Sequence, residues 1–285
     1  MGHVIRARVV MTDRPVYATP RGGLPPQTQR TRDRAVFTPA YAVIPNSVMR
    51  DIVTSRLPGW QNTQAWILAR PLSGFAETFA QLVLEIGPGG GSDTPEPEHG
   101  AEGVLFVLAG TPTLALDGAQ HTLTPGSYVF IGPNSAWSIA NDTDTPTCLQ
   151  WIRKRYEPAP DVAAPASFVS HDQNVTPEPM PDCDGVWATT RFVSPDDLSH
   201  DMHVNIVTFQ PGGVIPFDET HVMEHGLYVL EGKAVYHLNQ QWVEVEAGDF
   251  MWLRAFCPQA CYAGGPGPFR YLLYKDVNRH AALKI

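Results

Sequence analysis

Long apolar runs, paired cysteines and an excess of basic residues are all missing from this sequence. No stretch approaches the roughly 20 apolar residues of a membrane-spanning helix, and no apolar segment follows the charges near Met1, so we expect neither a span nor a secretory signal. The 4 cysteines form no CxxC pair and no disulfide framework, which predicts a reducing, cytoplasmic location. A net charge of −9 disfavours nucleic acid and anionic membrane surfaces as partners.

Helical periodicity is also scarce before the C-terminus, and short β-type runs take its place. Val104–Leu108 and Tyr228–Leu230 are each followed by a glycine two residues beyond their end. Val243–Glu246 alternates apolar and charged residues, as a half-buried strand does. Hydrophobic residues make up 43% of the 285 positions, enough for a substantial core. The pattern predicts an all-β sandwich or barrel.

The spacing of the glycines indicates an internal repeat. Three of them recur after an interval of 122 residues: Gly91 with Gly213, Gly110 with Gly232, and Gly126 with Gly248. A common interval without insertions indicates two tandem copies of one β unit. We therefore divide the chain into an N-terminal arm that packs on the barrels (1–74), a first barrel (75–156), a proline-rich linker (157–200) and a second barrel (201–285).

Candidate metal ligands concentrate in the second copy. Glu219, His221 and His225 are all odd-numbered, so on one strand they would share a face, with Glu224 on the opposite one. Gly213, Glu219, His221, His225 and Gly232 have the spacing of the first cupin motif, although Glu and His have exchanged the first and third ligand positions. In the second cupin motif, Gly248-Asp249 leads to Gln259 as the fourth ligand.

This exchanged ligand set resembles one family, the (S)-ureidoglycine aminohydrolases of allantoin and purine breakdown. The stretches that carry the resemblance are Glu219-Thr220-His221, Glu224-His225-Gly226, Gly248-Asp249, Pro258-Gln259-Ala260, Tyr274-Lys275-Asp276, Asn278-Arg279 and the arm from Asp33 to Pro45. It implies a bicupin, two tandem jelly-roll barrels with an N-terminal arm. It also implies Mn²⁺ held by Glu219, His221, His225 and Gln259, and hydrolysis of (S)-ureidoglycine to (S)-ureidoglycolate and ammonia.

The donor types agree with this metal independently. Two imidazoles, a carboxylate and an amide oxygen suit Mn²⁺, with Fe²⁺ or another divalent ion as the alternative. The first copy offers Pro97, His99, Gly103 and Trp137 at the corresponding positions, so we expect no metal there.

The resemblance also assigns roles around the metal. It places Tyr236, Tyr271, Lys275 and Gln259 against a small ureido substrate, with Lys275 holding its carboxylate. Glu219 and Lys275 are the candidates for catalytic proton transfer, and the motif does not decide which is the base. Bicupins of this kind commonly assemble, so we expect a homo-oligomer.

Three other interpretations remain open at this stage. Two histidines and a carboxylate can form the facial triad of an Fe²⁺ dioxygenase. A bicupin can also bind a small molecule without catalysis. The same fold and metal can act on a related ureido or amino-acid substrate.

Overall fold

The computed structural model describes residues 16–20, 35–49 and 55–276. Predicted features beyond them, including Asn278-Arg279 and residues 277–285 of the second unit, lie outside the described residues. The described chain contains β-strands and three-residue 3-10 helices. No helix within it has the length and apolar character of a membrane span.

The strands before and within the first repeat are β1 (Val36–Phe37), β2 (Tyr41–Ile44), β3 (Gln61–Ala69), β4 (Ala80–Ser92), β5 (Ala101–Ala109), β6 (Thr113–Leu116), β7 (Ala119–Thr122), β8 (Ser127–Ile131), β9 (Trp137–Ala140) and β10 (Thr147–Arg155). Strands β11 (Phe168–His171), β12 (Glu178–Pro179) and β13 (Trp187–Thr190) follow. The second repeat contains β14 (Met202–Phe209), β15 (Val214–Glu219), β16 (His225–Glu231), β17 (Lys233–Leu238), β18 (Gln241–Glu246), β19 (Phe250–Leu253), β20 (Gln259–Tyr262) and β21 (Phe269–Asp276). The 3-10 helices are Asn46–Val48, Pro71–Ser73 and Asp172–Asn174.

In the second repeat, two sheets pack against each other to form a barrel. A large sheet has the order β1-β2-β19-β16-β21-β14-β13-β12, and a four-stranded sheet has the order β15-β20-β17-β18. The first repeat forms one continuous sheet, β11-β8-β5-β10-β4-β9-β6-β7, to which β3 adds by pairing with β4. Strand β4 pairs with β10 and also with β9, so it runs through both faces of this barrel. The all-β, two-barrel fold predicted from the sequence is confirmed.

Each barrel takes a strand from the segment that precedes the other one. Strand β2 precedes the first barrel but pairs with β19 of the second. Strand β11 precedes the second barrel but pairs with β8 of the first. This exchange pairs the backbone N–H and C=O groups of β19 and β8, which would otherwise be exposed at the edges of their sheets.

The interpretation of 157–200 as an extended linker needs correction, because this segment supplies strands to both barrels. Besides β11, it contains β13, which pairs with β14 along Trp187–Thr190. Prolines suggested an unstructured connection, but a proline is tolerated on an edge strand, where its missing N–H interrupts no ladder. Pro179 lies in β12, the last strand of the large sheet. The arm likewise supplies β3 to the first barrel.

A shared apolar core joins the two barrels. Phe79 of the first repeat stacks on Tyr274 of the second, with ring centroids 4.0 Å apart. Gly226 permits this contact, because a β-carbon there would lie 2.6 Å from Phe79 Cζ and 2.7 Å from Gln81 Oε1. Each barrel also has an apolar core of its own in its interior. The two interiors differ in the side chains that occupy them, and the candidate site lies in the second.

Candidate metal centre

The predicted site residues meet at one cavity inside the second barrel. This cavity has a volume of about 130 Å³. Six of the seven predicted residues line it: Glu219, His221, His225, Gln259, Tyr271 and Lys275. Its walls come from the large sheet, the small sheet and the loop between β15 and β16.

Glu219 and Gln259 are neighbours on the small sheet. Glu219 is the last residue of β15 and is paired across the ladder with Gln259, the first residue of β20. The β15 register shifts between Ile215 and Glu219, which is how a bulge redirects the end of a strand. Gln259 is buried, so its amide faces the barrel interior rather than solvent.

The two histidines reach the cavity from different backbone contexts. Strand β15 ends at Glu219 and β16 begins at His225, so residues 220–224 form a loop. The argument from strand alternation therefore does not apply to His221, which the loop turns inward. Its Nε2 lies 3.3 Å from Glu219 Oε1, and its ring centroid lies 5.0 Å from that of His225. The loop is held from behind by a hydrogen bond from Phe256 N to His221 O.

Glu224 anchors this loop to the first barrel. Its carboxylate accepts hydrogen bonds from the backbone N–H groups of Glu77 and Thr78, at 2.8 and 2.9 Å, and from Thr78 Oγ1 at 2.6 Å. Trp252 Nε1 donates a fourth, also at 2.6 Å. Glu224 thus points away from the cavity, as predicted, and fixes the residue next to His225. No motif indicated these partners: Glu77 and Thr78 lie 147 and 146 residues before Glu224, and Trp252 lies 28 residues after it.

Electrostatics favour a neutral imidazole at His225. Burial, followed by the charges of His221 and Lys275, lowers the pKa of His225 to about 3. A neutral imidazole is the form that binds metal ions. Lys275 is directly opposite His225 in the ladder between β16 and β21. Its own pKa is lowered by burial and by the charge of Arg191.

Whether the cavity fits a metal ion is judged from the chemical types of the donor side chains that face it. Within the described chain, no three His, Cys, Asp or Glu side chains are already grouped closely enough to hold an ion. The donors that face the cavity are two imidazoles, one carboxylate and the amide of Gln259. This set fits a divalent ion that accepts nitrogen and oxygen ligands.

One of the two tyrosines lies deeper than expected. Tyr236 is fully buried and does not line the cavity, whereas Tyr271 does. The Tyr236 hydroxyl lies beside Tyr271 and Cys261, and burial raises the pKa of each tyrosine. Burial also raises the pKa of Cys261 to about 12, so its thiol stays protonated and packs as a small apolar group.

Sequence reasoning missed one wall of the cavity. It is formed by Met180, Trp187, Thr189 and Arg191 of the segment 157–200, together with Asn205 of β14. No motif marks these residues, and only the pairing of β13 with β14 brings them to the site. Alternation along β14 could have identified Asn205, because Asn205 and Val207 face the same side.

Fold and site together define a two-domain cupin protein. The cupin domain family matches the chain twice, at residues 82–153 and 205–274, one match in each barrel. The Escherichia coli (S)-ureidoglycine aminohydrolase is 31% identical over 231 residues, which cover 80% of this chain and 86% of that protein. The chain belongs to the (S)-ureidoglycine aminohydrolase family, as its motifs predicted.

Two further comparisons agree. The Arabidopsis thaliana (S)-ureidoglycine aminohydrolase is 31% identical over 250 residues, covering 87% of this chain and 77% of that protein. A crystal structure from Pseudomonas aeruginosa, described as a glyoxylate-induced protein, is 61% identical with a TM-score of 0.89 and covers 95% of this chain and 100% of that one.

Proposed function

We propose that this protein is a metal-dependent enzyme that hydrolyses (S)-ureidoglycine to (S)-ureidoglycolate and ammonia, a step of purine (allantoin) degradation. One observation carries the proposal: Glu219, His221, His225 and Gln259 line the same cavity as Lys275, and they do so in one barrel only. Membership of the family supports the substrate. Assembly as a homo-oligomer in the cytoplasm stays a prediction.

The four donors would hold the ion, with Mn²⁺ as the proposed metal. A divalent ion there would supply Lewis-acid polarisation and a template for a small chelating substrate. Lys275 is half-buried at the cavity and would bind the substrate carboxylate through a charge-assisted hydrogen bond. The cavity walls would keep bulk water away from the reacting carbon.

Hydrolysis also needs proton transfer. The attacking water loses a proton, and the departing ammonia gains one. Glu219 and Lys275 are the two cavity-lining groups that we assign to this exchange.

Substitution of Glu219 tests the proposal directly. In Glu219→Ala, we expect bound Mn to fall from about one per chain to near zero and ammonia release to fall at least about 100-fold, because the anionic ligand is lost. The matched control is Glu98→Ala in the first barrel, whose side chain is 57% exposed. That control should keep both values. Full metal content and turnover in Glu219→Ala would contradict the proposal, and O₂ consumption by the wild type would favour a dioxygenase instead.

A further inference from the structure

The wall of the cavity opposite the small sheet carries a second polar group of residues. The last registered pair between β13 and β14 is Thr190 with Ile206. Arg191 and Asn205 follow in the same register, so they are cross-strand neighbours. Both line the cavity, and Asn205 is paired with Leu273, two residues along β21 from Lys275. Neither belongs to the ligand set or to the residues that the family resemblance assigned.

Asn205 is the unexplained member. It is 3% exposed, and its Oδ1 has no hydrogen-bond partner in the described chain. A buried amide oxygen left without a partner costs about 1–3 kcal/mol, so its retention calls for a ligand that donates to it. The counterpart in the first barrel is the buried apolar Leu82, which pairs with Trp151 as Asn205 pairs with Leu273. The polar group is therefore present only in the barrel that contains the cavity.

Arg191 supplies donors beside that acceptor. It is half-buried at the rim, where Nη1 forms an ion pair with the exposed Glu178. Its Nη2 lies 3.9 Å from the thioether sulfur of Met180, which is a weak acceptor. A guanidinium has five N–H donors, so these contacts leave some of them for a carbonyl oxygen in the cavity.

Tyr236 is unavailable to a substrate, because it is fully buried and does not line the cavity. Tyr271 does line it. The distal half of a ureido acid still needs one acceptor for its terminal NH₂ and one donor for its carbonyl. Asn205 and Arg191 provide these two groups at adjacent positions.

We propose that Asn205 and Arg191 form the subsite that recognises the ureido group, with Asn205 Oδ1 accepting from the terminal NH₂ and Arg191 donating to the carbonyl oxygen. This inference rests on the proposed function for the identity of the substrate. It makes the site selective for N-carbamoyl amino acids over amino acids whose N-substituent lacks the terminal NH₂. Sites built to hydrogen-bond a polar group discriminate strongly against analogues that lack it.

Two stable probes test the subsite without turnover. N-carbamoylglycine contains the ureido group, and N-acetylglycine replaces its terminal NH₂ with a methyl of similar size. Calorimetry on the Mn-loaded protein should give at least about tenfold tighter binding of the carbamoyl probe, which is about 1.4 kcal/mol. Asn205→Leu should bring the ratio to about one. Arg191→Met should weaken both probes at least about fivefold, because both contain the carbonyl.

Three controls separate recognition from structure. Arg70→Met removes an exposed arginine elsewhere and should bind both probes like the wild type. Glu178→Gln removes only the rim partner of Arg191 and should leave the affinity for both probes unchanged, whereas a purely structural role of the ion pair would weaken both probes as Arg191→Met does. Thermal unfolding of each variant identifies any loss of folding.

A wild-type protein that binds neither probe, or both equally, overturns the subsite, and so does an unchanged ratio in folded Asn205→Leu. Ammonia release from (S)-ureidoglycine is measured separately. Probe discrimination without ammonia release would remove the proposed reaction and leave the subsite standing. Ammonia release with no discrimination would do the reverse.

Discussion

The two barrels share a fold, yet one encloses a cavity and the other encloses tryptophans. In the first barrel, Trp151 lies between Trp60 and Trp137, with ring centroids 5.7 and 5.8 Å away. Trp137 occupies the position that corresponds to Gln259, and Trp151 the one that corresponds to Leu273. Indole rings therefore fill the space where the second barrel keeps its polar side chains. The first barrel therefore differs from the second in the packing of its interior as well as in its candidate donor residues.

The remaining ligand positions of the first barrel are also blocked. Gly103 stands where the second barrel has His225, and a β-carbon there would lie 3.3 Å from Trp151 Nε1 and 3.2 Å from Ile152 O. Arg153, the counterpart of Lys275, is bound by Glu96 and also lies 3.4 Å from Glu98. The acidic stretch that resembles a ligand cluster in the sequence thus neutralises an arginine.

The barrels differ less where they contact each other. Glu102 and Glu224 occupy corresponding positions, and both are buried. Glu224 reaches the backbone just before β4 of the first barrel. Glu102 interacts with Asp201, just before β14 of the second barrel, and Asp201 in turn pairs with Lys154 at 2.7 Å. Both repeats have a buried glutamate at the inter-barrel contact, whereas only the second has the candidate donor residues.

The largest expected effect on activity comes from placing the first barrel's Gly103 at the corresponding position of the second barrel, His225. In His225→Gly, one imidazole ligand is removed, so we expect bound Mn to fall to near zero and kcat/KM for ammonia release to fall at least about 100-fold. Elemental analysis and an ammonia assay measure the two effects. Retention of about one Mn per chain would show that His225 is not a ligand.

The opposite exchange should fail to create a site. Trp137→Gln introduces an amide at the position of Gln259 but removes a buried indole, so the free energy of unfolding should fall by about 3–5 kcal/mol. Urea denaturation at equilibrium measures the loss. Metal content should not rise, because Pro97 and Gly103 still lack donor side chains. A second Mn per chain would break the comparison.

The pH dependence of stability should differ between the barrels at His203, which pairs with Lys275, whereas Ala80 pairs with Arg153 at the corresponding place in the first barrel. Burial, followed by the charges of Lys275, His200 and Arg191, lowers the pKa of His203 from 6.5 to about 4. The unfolded chain therefore takes up the proton first as the pH falls. The wild type should lose up to about 3 kcal/mol of stability between pH 6.5 and 4 through this group.

His203→Gln should lack that contribution. Urea midpoints of both proteins across this pH range give the difference, in which the titration of the carboxylates common to both cancels. Parallel pH profiles would contradict a buried, neutral His203.

The smallest expected effect concerns Gly103. In Gly103→His, the new side chain would collide with Trp151 and strain a filled interior, so we expect a loss of about 1–3 kcal/mol and no gain of metal. Combining it with Trp151→Leu, the residue type at the corresponding Leu273, should recover part of the loss. No recovery would mean that the backbone at Ile152, rather than the indole, sets the limit.

The sequence by itself determined the duplicated β fold and the side chains that stand at the cupin motif positions of each copy. Glycines at one interval mark strand ends that both copies need, and the spacing of Glu219, His221, His225 and Gln259 follows from short strands and turns. These are local properties, because neighbouring residues decide where a strand begins and ends. These properties can therefore be inferred from the sequence of a single chain.

The tertiary structure decided the rest. It turned the proline-rich segment into a cavity wall with Arg191, buried Tyr236 behind Tyr271, and tied Glu224 to Thr78. Each depends on pairing or packing between segments that are distant in the chain, and a strand does not specify its partner through its own residues. Which polar groups face the cavity was settled when the two barrels closed and exchanged their strands.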